Sequence, residues 1–256
     1  TLRGALYGYE HANNGYPSGE LHFIRVPEHL EEGQEDVYLT LMDPTVQQER
    51  LIYVECTTTT QGKRGPVATM QIVVHPDWGP RGAGRFLDLV RTRYFNQCPL
   101  HRVVPQFLTQ FGIAKSHNYR VALQNKILPD DFVSPEHKIP FREGIMAFAG
   151  NGPQSRKGEL FVVMPDTPQH QLDSFGTQVW ETPFAEMVNV RDIAPQWNAE
   201  YGDMPPWGNG PDPEKLYHHN RHIYMDSKFP NLDLIERCDV LDTKPKRKQK
   251  LPGFEL

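Results

Sequence analysis

Short apolar runs of period two, never in regular alternation with helical segments, constrain this chain most. RLIYVECTTT (50–59) and PVATMQIVV (66–74) are separated by QGKRG, the pattern of a β-hairpin. LHRVV (100–104), FLTQFGI (107–113), GIMAFAG (144–150), ELFVVM (159–164) and LDLIERCDVL (232–241) add further short strands. Without the strand–helix rhythm that a parallel sheet requires, these runs predict a mainly β fold, a closed antiparallel barrel with helices at its ends. Twenty-three prolines in 256 residues, about 9% against a usual ~5%, predict many ordered loops and few long helices.

Helical spacing is confined to a few places. Phe86, Leu87, Leu89, Val90 and Tyr94 recur at i, i+3, i+4 within RFLDLVRTRYF (85–95), a helix placed to cap a barrel end. The preceding GPRGAG reads as a turn and helix N-terminus. Its glycines and the residues that follow do not fit a dinucleotide-binding loop. FAEMVNV leads into an amphipathic segment at roughly 189–198, and YGDMPPWGNGPDP (201–213) reads as a loop. Asp212 as cap with Pro213 in the first turn predicts a helix to about residue 226. On that helix His218 and His222 share a face at i, i+4. With no HExxH and no third ligand at the right spacing, they read as a solvated face rather than a metal site.

Residues 1–48 read as an N-terminal extension, 49–242 as the folded domain and 243–256 as a basic tail containing KPKRKQK. A net charge of -5 argues against nucleic acid as the main partner. No apolar window is long enough for a membrane span, and the start at Thr1 rather than Met leads us to expect that a targeting peptide or anchor was removed upstream. An organelle or endomembrane lumen is one localisation consistent with that. Cys56, Cys98 and Cys238 are widely spaced without C-x-x-C, which leaves the redox compartment open. No G-x-S-x-G elbow or Cys/His pair supports covalent hydrolysis.

Arg102 is the anomaly, a cation where a plain core strand would carry another Val. LHRVVPQFLTQFGI, with the helix before it and GIMAFAGNGPQSRKGELFVV some forty residues later, resembles the cyclophilin family of peptidyl-prolyl isomerases. ETPFAEMV is similar to a further family strand, and the resemblance spans roughly 50–242. It implies an eight-stranded antiparallel barrel capped by helices, with a groove that accepts X-Pro segments of client proteins. The implied reaction is rotation about a bond, which needs no cofactor, acid, base or nucleophile.

By resemblance, Arg102 is the donor to the proline nitrogen, and Gln110 binds substrate backbone and steadies the arginine. Phe107, Leu108 and Phe161 form the proline socket, Leu108 standing where many members carry Met. Ala149 and Gly150 form the groove edge, with Gly150 where many members have Asn. Glu159 replaces a frequent Gln, and the expectation is a carboxylate near Arg102 that either holds it or competes with substrate. The stretch between Val163 and Phe184 is longer than in typical members, so the family's Trp and His have no clear counterparts; Trp180 is the candidate for part of the far wall. Two functions follow: an isomerase, or a catalytically weak or inactive proline-binding subunit that docks to a larger assembly through residues 1–48 and loop 199–213.

Overall fold

The structure, a computed structural model, describes residues 51–124 and 126–241. The proposed extension and basic tail lie outside the described residues. β1 (Ile52–Thr59) and β2 (Val67–Val74) form the expected hairpin, in register from Ile52 opposite Val74 to Thr59 opposite Val67. β3 (Cys98–Pro99), β4 (Arg102–Val104), β5 (Leu108–Phe111), β6 (Ile145–Phe148), β7 (Leu160–Val163), β8 (Pro183–Met187) and β9 (Leu234–Leu241) complete one antiparallel sheet. Its order is β3-β9-β1-β2-β8-β6-β7-β5-β4.

The two ends of that order, β3 and β4, are consecutive in the chain. Leu100 N–H donates to Asp233 on the β9 side, and His101 N–H donates to Gln110 on the β5 side. Segment 98–104 is therefore one interrupted strand shared by both ends of the sheet, which curls into the expected eight-position barrel.

Period-two alternation sends Val103, Phe111, Met146, Phe148, Leu160 and Val162 into the main core. Their neighbours Leu108, Ile145, Ala147, Phe161 and Val163 form a second apolar cluster on the opposite face. Burial on both faces explains why these strands read as nearly continuous apolar runs.

Helix α1 (Pro80–Arg91) begins five residues before the expected helix and ends four sooner. Pro80 presets the first turn, and the free N–H groups of Arg81 and Gly82 donate to the carboxylate of Asp131, fifty residues away. The glycine-rich turn thus meets an internal anion. Phe86 of α1 packs on Phe184 of β8, ring centroids 5.3 Å apart.

The polar excursion between β5 and β6 contains α2 (His117–Gln124). A short α3 (Gln169–Leu172) interrupts the expected loop before β8, and α4 (Val190–Ile193) opens the amphipathic segment that follows it. The helix expected from Asp212 to 226 is two helices, α5 (Pro213–Tyr217) and α6 (Arg221–Lys228). Asp212 does cap the first, accepting from Glu214 N–H at 3.0 Å. The break at 218–220 removes the shared face assumed for His218 and His222. Among the described residues no helix is long and apolar enough to cross a membrane.

Cys56 and Cys238, directly opposite on β1 and β9, form a disulfide. Cys98 is a buried thiol whose pKa burial pushes up to about 11, so it stays protonated.

Candidate functional site

Four adjacent strands place the site residues in one row. Arg102 is opposite Gln110, Gln110 opposite Phe161, and Phe161 opposite Ala147. Strands in such a ladder lie about 4.8 Å apart, so a guanidinium, an amide and a phenyl ring follow one another on the outer face. Val104 and Pro105 lead into Gln106 at φ 57°, and Phe107 N–H donates back to Val104 at 3.2 Å. Proline followed by a positive φ is the type II turn pattern, and it sets Phe107 at the rim of the row.

The Arg102 side chain is only 10% exposed. Its Nε donates to Asp203 Oδ1 at 2.7 Å and Nη2 to Asp203 Oδ2 at 3.1 Å, while Nη1 donates to Gln110 Oε1 at 3.3 Å. Its carbon lies 5.3 Å from the ring centre of Phe107 and 5.9 Å from that of Trp207. The acid that meets Arg102 is thus Asp203, from the loop read as a docking element. This corrects the expectation for Glu159.

Glu159 is engaged elsewhere. Its oxygens accept from Gln110 Nε2 and Tyr217 OH, each at 2.8 Å, and lie 3.4 Å from His101 Nε2. Burial pushes this carboxyl up, but the His101, Tyr217 and Gln110 contacts outweigh it and hold the group below the usual carboxylate range. By taking the Gln110 amide nitrogen, Glu159 turns the amide oxygen toward Arg102. A depressed folded pKa stabilises the protein above the unfolded value and is lost as pH falls through the folded one. In urea unfolding from pH 7 to 3, the stability difference between wild type and Glu159→Gln should stay constant to about pH 4.5, then shrink.

Leu108 and Phe161 are buried in one apolar cluster, with Phe107 packed against it. Phe141 and Leu172 wall the same cluster on its far side, and the Phe175 ring fills the space between. Phe175 lies 5.4 Å from Phe107, 5.3 Å from Phe141 and 5.3 Å from Phe161, nearly parallel to all three, and Phe161 is left 4% exposed. Trp180 is not in this wall. It covers Gly150 closely enough that a Cβ there would come within 2.7 Å of the indole and 2.9 Å of Ser155 Oγ. The absence of Asn at 150 is therefore a steric consequence of Trp180. Ala149 N–H donates to Glu159 O at 2.9 Å, continuing the ladder to the groove edge.

Asp203, Phe141 and Phe175 were absent from the sequence-derived site. No motif in the sequence marks them, since all three lie in connections between strands.

The outer face of the barrel thus carries a braced arginine beside an aromatic cluster. The model of the family described as cyclophilin type peptidyl-prolyl cis-trans isomerase/CLD matches residues 54–204, more than half of the chain, and the protein belongs to this family.

A probable peptidyl-prolyl cis-trans isomerase of Brucella abortus (strain 2308) is 30% identical over 122 residues, covering 44% of this chain and 60% of its own. A putative bifunctional phosphatase/peptidyl-prolyl cis-trans isomerase of Streptococcus pyogenes serotype M6 is 23% identical over 117 residues, 45% of this chain and 24% of its own. The chain therefore spans less than two thirds of the length of these relatives. A solved cyclophilin type peptidyl-prolyl cis-trans isomerase of Cryptosporidium parvum aligns at a TM-score of 0.48 and 14% identity, covering 75% of this chain and 99% of its own.

Proposed function

We propose that the protein is a peptidyl-prolyl cis-trans isomerase acting on X-Pro bonds of polypeptide clients. The row Arg102–Gln110–Phe161 carries this reading, since it sets a fixed guanidinium beside an aromatic floor. Rotation of an amide must break a resonance worth a barrier of about 18–20 kcal/mol. In the twisted transition state the proline nitrogen is pyramidal and carries a lone pair that it lacks in either planar state. A donor aimed at that lone pair stabilises the transition state alone, which is what raises a rate. Arg102 is permanently charged and rich in donors, and Phe107, Leu108 and Phe161 hold the ring while the preceding carbonyl swings. The disulfide favours an oxidising compartment as the place of action.

One observation favours a second reading, a proline-binding or structural module without catalysis. Phe175 sits among Phe107, Phe141 and Phe161 where a proline ring would go. On the isomerase reading this ring moves aside with the loop that follows α3. Phe175→Ala should then raise kcat/KM for an Ala-Pro peptide several-fold.

Exchange NMR on that peptide separates the readings. Wild-type acceleration of cis–trans exchange supports the enzyme, shift changes without acceleration support the binding module, and the lack of both overturns each.

A further inference from the structure

We propose that Asp203 is a positioning residue for isomerisation, orienting Arg102 rather than blocking it; the inference rests on the isomerase reading above. A guanidinium has five N–H bonds in one plane. Asp203 takes the Nε–H and one on Nη2, and Gln110 takes one on Nη1. One N–H remains on each terminal nitrogen. Because the group is planar, fixing one edge and one terminal nitrogen fixes the direction of the two that remain.

An unbraced arginine samples many rotamers, and that side-chain freedom would have to be lost at each turnover. Asp203 and Gln110 remove that freedom beforehand, and the contacts leave two N–H donors to spare.

The loop folds back on the Asp203 backbone carbonyl and holds its carboxylate from one side. Gly210 N–H donates to Asp203 O at 2.8 Å, and Met204 N–H donates to Oδ1 at 2.7 Å. A Cβ at Gly208 would fall 2.3 Å from Asp203 O and one at Gly210 2.8 Å from it, so YGDMPPWGNG can fold back on Asp203 only with glycine at both places. Tyr201 anchors the near end, its hydroxyl accepting from Asn231 N–H at 3.1 Å and its ring meeting Phe229 at 5.1 Å. Trp207, 70% exposed, brings its ring centre to 5.9 Å from the guanidinium carbon. Asp203 itself is 21% exposed, so the pair is shielded without being sealed from a peptide.

The test compares wild type with Asp203→Asn, Asp203→Ala and Asp203→Glu by exchange NMR on an Ala-Pro peptide, with the Arg102 Nε–H resonance and the melting temperature followed in parallel. Asp203→Asn and Asp203→Ala are expected to lower kcat about tenfold or more with KM nearly unchanged. They should also broaden or lose the slowly exchanging Nε–H signal, and Asp203→Glu should recover part of both. An unchanged kcat in the Asn and Ala variants overturns the proposal, and so does a raised kcat, which would make Asp203 a competitor of substrate. A fall in kcat accompanied by a collapsed melting temperature and unrescued by Glu also counts against it. If wild type itself produces no acceleration, the isomerase reading fails first and takes this inference with it, a result recognisable without any variant.

Discussion

Arg102→Ala should lower kcat/KM for an X-Pro peptide by about 10²-fold, with the loss almost entirely in kcat. Removing a single donor aimed at charge that develops in a transition state costs about 10²–10³ in rate. The ground-state amide offers no lone pair for that donor, so peptide affinity should change little. Arg102→Lys is expected to rescue poorly. An ammonium is a point donor that cannot span both oxygens of Asp203 and still reach Gln110.

The truncation also removes a side chain that meets the rings of Phe107 and Trp207 and leaves Asp203 without its ion-pair partner. Asp203 can be solvated where it stands, so the fold should survive and the melting temperature should move by only a few degrees. Exchange NMR at saturating peptide measures kcat directly. A variant with wild-type kcat would remove Arg102 from the mechanism.

What could be read in the chain beforehand depended on distance along it. The hairpin of β1 and β2 and the short β4–β5 pair are closed by local turn residues, and the alternation that sorts their faces spans only a few positions. Their registers were therefore legible, and the motif around Arg102 located one wall of the groove. The remainder depends on partners brought together by closure of the sheet.

Helix α1 starts at Pro80 because Asp131 accepts its first N–H groups, a pairing no local pattern encodes. The Cys56–Cys238 bond follows from the β1–β9 register, which joins residues 182 apart. Glu159 looked like the acid for Arg102 because both belong to the motif blocks. Tyr217 and His101 claim it instead, and Asp203 arrives from a loop with no motif of its own. Phe175 and Trp180 compete for the same long connection before β8, and only packing decides which faces the socket.

Arg156 should prove the most sensitive position for stability. It lies within GPQSRKG with its side chain fully buried, 3.3 Å from Asp130 and 2.9 Å from Asp131, and it also donates to Pro129 O. Replacing it by Met keeps much of the volume but strands two carboxylates that are 7% and 1% exposed. Breaking a buried pair from one side costs about 3–5 kcal/mol, since the remaining carboxylates lose their counter-ion and keep only neutral N–H donors, Arg81 and Gly82 at Asp131 and Gln154 at Asp130. For a folded unit of this size that corresponds to a fall in melting temperature of about 6–20 °C. Arg156→Met/Asp131→Asn should be less destabilised than Arg156→Met alone, because one stranded charge is gone and the amide oxygen still accepts from Arg81 N–H, the bond from Gly82 N–H to the other oxygen being lost. A loss under about 1 kcal/mol in Arg156→Met would contradict the account. Leu128 N–H donates to Arg156 O at 2.7 Å, so the same residue ties the polar excursion to the segment that follows Gly150. Loosening it should therefore blur the groove edge at Ala149 and Gly150, and catalysis should decline at temperatures below the onset of global unfolding.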